Sequence, residues 1–276
     1  MQLTFLGTRG EIGIRSRRHR RHSALLVEQD DARIMIDCGT DWLHRLRTVA
    51  PTAIVITHAH DDHAAGLAKG APCPVYATAA TWKLLRRLPI SDRRTIPLRR
   101  AVRIGGVRFS AVPVQHSVRA PAVGYRVSAH GCCFFYLPDV ADLPKPSDAL
   151  RRVDLYIGDG ATLRRSMVRR KGGALVGHAP MTSQLDWCEK AHVPRAVFTH
   201  CGSPIVRADA QAMDRLVGRL GREHGIDVRI AGDGDRLWLR PRVGRRGSRR
   251  PSSIRDELDS DQRTHGLSSA TSTERR

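Results

Sequence analysis

Apolar residues between positions 1 and 240 fall into short runs with two different periodicities. Continuous runs such as Ala53–Ile56 and Leu155–Ile157 combine branched and bulky side chains, which is typical of buried strands. The stretch Asp209–His224 instead repeats its apolar residues at helical spacing. The predicted strands span residues 3–6, 24–27, 33–36, 53–56, 75–77, 107–112, 123–127, 133–137, 155–157, 196–198, 228–230 and 237–239, and the predicted helices span residues 40–47, 64–69, 79–87, 182–191 and 209–224, with Thr182 as a predicted N-cap.

The order of these elements favours one α/β domain over residues 1–240. Strands outnumber helices, and the pattern shows neither an internal repeat nor a hinge-like linker. Two β-sheets with helices packed outside them satisfy such an order. Residues 241–276 differ, because they are rich in Arg, Ser and Thr and have almost no apolar periodicity. We predict that they form a basic disordered tail.

Potential metal ligands crowd the end of the predicted strand 53–56. Within the segment Thr57–His63, three histidines and two aspartates follow one another closely. His58 and His60 point to the same side of an extended chain, since side chains alternate there. Asp62 and His63 fall in the turn that opens the next helix and can address a second point. Ligands so arranged can serve two metal ions about 3.5–4 Å apart, the geometry of two-metal hydrolysis.

This THAHDDH segment resembles the signature of the metallo-β-lactamase fold superfamily. The resemblance covers residues 1–240 and implies a four-layer αβ/βα sandwich with a binuclear metal site at the sheet edges. Asp37 matches the aspartate that buttresses the metal-binding loop. All implied ligands offer nitrogen or oxygen, which suits Zn²⁺ and also Mn²⁺ or Fe²⁺. The resemblance implies two ligand sets that share one aspartate: His58, His60, His116 and Asp139 for one ion, and Asp62, His63, Asp139 and His200 for the other.

The segment Gly177–Thr182 indicates a branch of this superfamily. It resembles the Gly-His-Ser-Thr/Met-Ser stretch that precedes the last ligand in phosphodiesterase members, among them tRNA 3′-processing endonucleases. There the histidine stabilises or protonates the departing oxygen, a role that the resemblance gives to His178. Ala179-Pro180 departs from the usual Ser or Met. Together with Asp62, His178 is a predicted catalytic residue. The absence of a long arm or second domain favours small phosphodiesterases, including those acting on cyclic sugar phosphates.

Charge adds a candidate partner. The formal net charge is +20, from 47 Lys and Arg against 27 Asp and Glu, which suggests a polyanionic or phosphate-bearing partner. Arg119, Arg164 and Arg165 adjoin predicted site segments and are predicted to bind substrate. The basic loop that begins near Arg9 could also grip phosphates, although solvation explains many such charges equally well. Aromatic residues are scarce at 5%, and the segment 158–160 lacks a P-loop lysine and is predicted to be a turn.

Composition indicates which membrane association, redox state and cellular location to expect. No apolar run reaches the roughly 20 residues of a membrane span, so no membrane partner is expected. Six scattered cysteines form neither a disulfide framework nor a CxxC pair, and no signal peptide is evident. These features predict a reduced cytoplasmic location. Cys38 and Cys201 adjoin predicted site residues and are expected to be small buried neighbours. The pattern leaves open whether the chain forms a homo-oligomer.

Three functions compete on these observations. The first is a binuclear-metal phosphodiesterase that acts on nucleic acid or a small phosphodiester through a metal-bridging hydroxide. The second is a thioester hydrolase of hydroxyacylglutathione type, which would need neither His178 nor the arginines. The third is a basic nucleic-acid-binding module on a degenerate fold, and the complete ligand set argues against it.

Overall fold

In a computed structural model, which describes residues 1–241, two β-sheets stack face to face and helices cover both outer surfaces. The predicted tail therefore lies outside the described residues, apart from Pro241. No helix among the residues described is long and apolar enough to cross a membrane.

The first sheet is built from β1 (Gln2–Gly7), β2 (Ala24–Gln29), β3 (Ala32–Ile36), β4 (Ala53–Val55), β5 (Val75–Ala77), β6 (Arg93–Thr95) and β16 (Arg236–Trp238). The second sheet is built from β7 (Ala101–Ile104), β8 (Val107–Val114), β9 (Ala122–Ala129), β10 (Cys132–Tyr136), β11 (Leu155–Asp159), β14 (Arg195–Thr199) and β15 (Asp227–Ile230). A separate hairpin pairs β12 (Arg169–Lys171) with β13 (Ala174–Val176). The helices are α1 (Leu46–Val49), α2 (Asp61–Ala64), α3 (Ala79–Leu84), α4 (Pro146–Ala149), α5 (Met181–Lys190), α6 (Ser203–Val206) and α7 (Ala210–Glu223), with 3₁₀ turns at Thr40–Trp42 and Ala65–Leu67.

Each sheet has an antiparallel half and a parallel half. The first runs in the order β16-β1-β2-β3-β4-β5-β6 and is parallel from β3 to β6. The second runs in the order β15-β14-β11-β10-β9-β8-β7 and is parallel from β10 to β15. The carboxyl ends of parallel strands meet at one edge of a sheet, which is where open α/β sheets place their ligands.

Alternation along the strands builds three apolar layers. In β2, Leu25 and Val27 face the core between the sheets, whereas Ala24 and Leu26 face the helices outside the first sheet. The outer face of the second sheet packs against α5 and α7, with Phe198 among the buried residues. Asp209 caps α7 by accepting a hydrogen bond from the amide of Ala212 at 2.8 Å. Helix, sheet, sheet and helix therefore form the four layers that were predicted.

Every predicted strand overlaps an observed strand, but four strands were not predicted. β6 and β12 are exposed and polar, so they carry no apolar alternation to reveal them, whereas β7 and β13 are largely apolar but only four and three residues long. Two predicted helices were also placed wrongly. The predicted helix 40–47 is a 3₁₀ turn followed by the short α1, and the helix predicted at residue 64 begins at Asp61.

Thr182 is not the N-cap of α5, which was a wrong prediction. The N-cap is Pro180, and the helix begins at Met181. The amides of Met181 and Thr182 donate instead to the carbonyls of Thr162 and Leu163, at 3.0 and 3.2 Å. Because loop carbonyls satisfy these first-turn donors, the helix needs no side-chain cap.

Candidate metal centre

Three histidines from two loops form the first part of the site. β4 leads through Ile56 and Thr57 to His58, which is fully buried. The His58 Nε2 atom lies 2.9 Å from His60 Nδ1, and His116 Nε2, from the loop after β8, lies 3.3 Å from the same nitrogen. One ring nitrogen from each of the three lies within 4.8 Å of those of the others. We call His58, His60 and His116 the histidine group.

Two aspartates and two histidines form the second part. Asp62 and His63 lie in α2, Asp139 follows β10, and His200 follows β14. Asp62 Oδ2 lies 3.2 Å from His63 Nε2 and 3.0 Å from His200 Nε2. His63 Nε2 lies 2.5 Å from Asp139 Oδ2. We call these four buried residues the carboxylate group.

Asp139, a member of the carboxylate group, also lies near the histidine group. Its Oδ2 atom is 3.8 Å from His58 Nε2, and its Oδ1 atom is 3.9 Å from His116 Nδ1 and 3.4 Å from His200 Nδ1. The structure thus brings together all seven residues predicted as ligands, with Asp139 at the centre. Their roles as ligands stay a prediction.

Unsatisfied atoms test whether a cation fits this arrangement. His63 Nε2, Asp139 Oδ2 and His200 Nδ1 are buried and, among the described residues, make no hydrogen bond of regular geometry, although His63 Nε2 and Asp139 Oδ2 are in close contact with one another. Buried polar atoms are rarely left without a partner. Here the unpartnered atoms belong to one cluster of nitrogen and oxygen donors. These clusters of nitrogen and oxygen donors are suited to divalent metal binding.

Electrostatics separates the two groups. Burial, reinforced by the charge of His63, holds the pKa of His58 well below its usual value, and burial also lowers the pKa of His116. Burial opposes charge on His63 too, but the carboxylates of Asp62, Asp139 and Asp37 outweigh it and hold the pKa of His63 well above its usual range. Against the same burial penalty, Asp139 and its neighbours raise the pKa of His200 to about 10. The carboxylate group therefore holds negative charge that a cation can balance by displacing protons.

Asp37, predicted as a buttress, lies beneath the carboxylate group. Its Oδ2 atom is 2.9 Å from His63 Nδ1, which leaves Nε2 of that ring facing Asp139. The amide and hydroxyl of Thr57 both donate to Asp37, so the carboxylate ties the end of β4 to α2. A carboxylate on the far nitrogen of a ligating histidine fixes its tautomer and its orientation. Gly39 makes room for this packing, because a Cβ atom there would lie 2.0 Å from the Asp62 carbonyl oxygen.

His178 faces the centre from the loop that precedes α5. Its Nδ1 atom lies 2.8 Å from Asp159 Oδ2 and 3.3 Å from Asp139 Oδ1. Burial disfavours charge on this ring, but Asp159 outweighs it and raises the pKa of His178. The loop passes closely beneath Met167 at Gly177, where φ is +103° and a Cβ atom would lie 2.2 Å from the Met167 carbonyl oxygen.

Asp159 is the site residue that the sequence analysis missed. The segment 158–160 was predicted to be a turn, but Gly158 and Asp159 close the buried strand β11. Asp159 is fully buried and also accepts from the amides of Val140 and Ala161, at 3.0 and 2.9 Å. An acidic residue at the end of an apolar strand is the same signal that marks Asp37 and Asp139, and it would have found Asp159.

A cleft of about 1110 Å³ opens over the centre and divides the predicted substrate-binding residues. Arg164 and Arg165 are exposed and line it, whereas Arg119 lines a different cleft. The basic loop that begins near Arg9 was predicted to be able to bind phosphates, but the Arg9 side chain is not available for this. It is 2% exposed, forms an ion pair with Asp41 at 2.6 Å and donates to the loop carbonyls of Gly10 and Ile12. Cys38 and Cys201 are buried, as expected.

Sequence comparison identifies the family. The sequence model of a β-lactamase superfamily domain matches residues 32–201, a segment that includes every predicted ligand. The chain belongs to this superfamily.

One curated protein is similar to part of this superfamily member. Ribonuclease Z from Methanopyrus kandleri is 32% identical over 144 residues, 45% of this chain and 49% of that protein. The chain thus spans about half the length of this curated relative. The predicted membership of the superfamily is confirmed, and the similarity to ribonuclease Z agrees with the predicted relation to its phosphodiesterase-like branch and with the prediction of a metal-dependent hydrolase.

Solved structures share the fold. The metallo-β-lactamase fold protein YhfI from Bacillus subtilis superposes with a TM-score of 0.67 at 18% identity, covering 86% of this chain and 98% of that one. A diphosphatase of the PhnP family superposes with a TM-score of 0.66 at 22% identity, covering 86% and 96%. At these identities the likeness concerns the fold, and it confirms the predicted four-layer sandwich.

Proposed function

We propose that the chain is a hydrolase that uses two divalent metal ions, preferably Zn²⁺, to cleave phosphodiesters in nucleic acid or in a small molecule. The histidine group and Asp139 would hold one ion, and the carboxylate group would hold the other. When bound, two such ions polarise a phosphoryl oxygen and lower the pKa of an attacking water. Asp62 and His200, whose Oδ2 and Nε2 atoms lie 3.0 Å apart, would be two of the residues that hold the second ion.

The observation that carries the phosphodiester reaction is the pair formed by His178 and Asp159. Asp159 engages Nδ1 of the ring at 2.8 Å, so Nε2 is left to face a substrate in the cleft. A histidine whose pKa is raised by a buried carboxylate can hold a proton near neutral pH and pass it to a departing alkoxide. A thioester leaves as a thiolate, which needs no such proton. We therefore assign His178 as the general acid and Asp159 as the residue that positions it.

Substrate binding is the second component of the proposal. Arg164 and Arg165 would attract the phosphate towards the large cleft, since guanidinium groups bind phosphate through paired hydrogen bonds. The ribonuclease Z relative supports a nucleic-acid substrate, and the PhnP-family diphosphatase supports a smaller phosphate ester.

The test is a comparison of two substrates on protein of known metal content. Purified protein reconstituted with Zn²⁺ or Mn²⁺ should hydrolyse bis-p-nitrophenyl phosphate and leave S-lactoylglutathione almost untouched. The reverse preference would establish the thioester alternative. Metal-free protein that binds DNA or RNA in a salt-dependent manner, with neither turnover, would establish the binding module instead.

A further inference from the structure

A second cleft opens beside the metal centre. It encloses about 400 Å³ and begins at the same three histidines that line the large cleft, His60, His116 and His178. Met167 and Arg169 line both clefts and form the ridge between them. A substrate whose reacting group lies at the metal centre therefore has space on two sides, and each side has its own walls.

The two clefts differ in charge. The large cleft combines the acidic side chains of Glu11, Asp61, Asp62 and Asp139 with the basic side chains of Arg164, Arg165 and Arg169. None of the residues that line the second cleft is acidic, and three are cationic, Arg119, Arg169 and Lys171. The second cleft is therefore the more favourable place for a negatively charged part of the substrate.

These three cations are free to bind a ligand. Their side chains are exposed and make no hydrogen bond or ion pair with any other side chain within residues 1–241. Two other arginines near the centre, in contrast, have acidic partners. Arg9 is paired with Asp41 at 2.6 Å, and Arg164 lies 4.0 Å from Glu223.

The three basic side chains of β12 are divided between the two faces of the strand. Side chains alternate along a strand, so Arg169 and Lys171 share one face and Arg170 points away. In agreement, Arg169 and Lys171 line the second cleft and Arg170 does not. Pairing of β12 with β13 from Arg169 to Lys171 holds this alternation in place. Arg170 is thus a matched control with the same strand, exposure and charge.

We infer that the second cleft is a subsite for a second phosphate group, one that is carried by the substrate and is not cleaved. The inference rests on the proposed phosphodiesterase function for the position of the scissile phosphate, and it assigns Arg119, Arg169 and Lys171 to the other phosphate. Guanidinium and ammonium groups converging on one cleft without an acidic neighbour match a phosphate dianion or a diester monoanion. The second phosphate belongs either to the next link of a nucleic-acid chain or to a phosphomonoester on a small molecule.

Ligand binding tests the subsite without requiring turnover. Calorimetric titration of the metal-loaded protein should give thymidine 3′,5′-bisphosphate a dissociation constant at least about tenfold below those of thymidine 3′-monophosphate and 5′-monophosphate. Arg119→Ala and Lys171→Ala should each remove about tenfold of that preference, and Arg170→Ala should keep it. Equal affinity for bisphosphate and monophosphates in the wild type would overturn the inference. Equal losses in Arg170→Ala and Lys171→Ala would also overturn it, because they would indicate general electrostatic attraction.

Turnover separates this inference from the proposed function. The p-nitrophenyl ester of thymidine 5′-phosphate should have a lower KM when it carries a 3′-phosphate, with little change in kcat, and Lys171→Ala should abolish that difference. Absence of any phosphodiester turnover would contradict the proposed function, while the titration still decides the subsite. Trithymidylate binding more tightly than the bisphosphate would support the subsite and identify a nucleic-acid chain as the source. Equal binding of the two would support the subsite with a phosphomonoester as the source.

Discussion

The histidine group and the carboxylate group lie side by side, with Asp139 of the carboxylate group close to both, and yet they differ in charge. Burial lowers the pKa values of the imidazoles of the histidine group and so favours their neutral form. In the carboxylate group the same burial is outweighed by Asp62 and Asp139, which raise the pKa values of His63 and His200. The comparison shows that the local balance of carboxylates and histidines, more than depth in the fold, decides how each half of the centre competes for a cation and a proton.

The largest effect is expected from the residue that lies between the groups. Asp139→Ala should reduce the metal content from about two ions per chain to nearly none and abolish phosphodiester turnover, because both ions lose a carboxylate ligand. Metal analysis after reconstitution and desalting measures this. Asp92→Ala, which removes an exposed aspartate paired with Arg94, is the control and should retain both ions. Two ions retained in Asp139→Ala would show that the groups do not share it.

A histidine-group variant should separate the two halves. His58→Ala removes a neutral ligand from one group only, so the protein should retain about one ion, held by the carboxylate group, and should lose activity for every leaving group. Metal analysis and turnover of bis-p-nitrophenyl phosphate measure the two effects. His130→Ala, an exposed histidine beside Asp30, serves as the control. Loss of both ions in His58→Ala would mean that the carboxylate group cannot hold an ion alone.

Removing His178 should leave both groups loaded and slow the chemistry. His178→Ala is expected to keep about two ions while kcat falls about 10²–10⁴-fold, the usual effect of a positioned acid. The loss should shrink for leaving groups of low pKa and persist for alkoxide-like ones. Steady-state kinetics on a series of aryl and alkyl phosphodiesters measures this. Equal losses across the series would remove the acid role, and unchanged turnover would remove the main support for a phosphodiesterase.

His19 tests burial without a carboxylate on its ring. Its Nδ1 atom contacts the Thr8 hydroxyl at 2.8 Å, and burial, with Arg18 nearby, lowers its pKa to about 4. Below about pH 6.5 the unfolded chain therefore binds a proton at His19, whereas the folded protein binds this proton only as the pH approaches 4. This contribution to stability is intact above pH 6.5 and is lost as the pH falls towards 4, by up to about 3 kcal/mol. Urea unfolding of wild type and His19→Gln at pH 7, 5.5 and 4.5 should show the steeper loss in the wild type, and parallel losses would contradict it.

The smallest effect is expected from the chain beyond the described residues. Every residue of both groups precedes residue 201, and Leu239 closes the described fold by donating to the Met1 carbonyl at 2.8 Å. Because all these residues are retained, a chain ending at Arg240 should keep its metal content and its turnover of a small phosphodiester within about twofold. A large loss of turnover would show that residues 241–276 support the centre.

The sequence could predict what apolar patterns and dense ligand spacing encode. Continuous apolar runs predict the buried strands, and the segment Thr57–His63 by itself indicates a metal centre. Position in space was harder to predict. Asp159 looked like part of a glycine-rich turn because its partner His178 lies 19 residues away and approaches through the fold. The exposed strand β12 has no apolar residues to mark it, so the sorting of Arg169 and Lys171 from Arg170 became visible only with its pairing to β13.

The predicted ligands come from both sheets, so a bound ion would stabilise the packing of the two sheets as well as take part in the reaction. His58, His60, Asp62 and His63 follow a strand of the first sheet, whereas His116, Asp139 and His200 follow strands of the second. When the free ion concentration is 100 times the dissociation constant, binding of that ion adds about 2.7 kcal/mol to the free energy of unfolding. Two bound ions would cross-link the amino-terminal half of the domain to the carboxyl-terminal half. Chelation would then loosen the sandwich along the same edge at which it stops the reaction, so heat resistance and activity would decline together as metal is withdrawn.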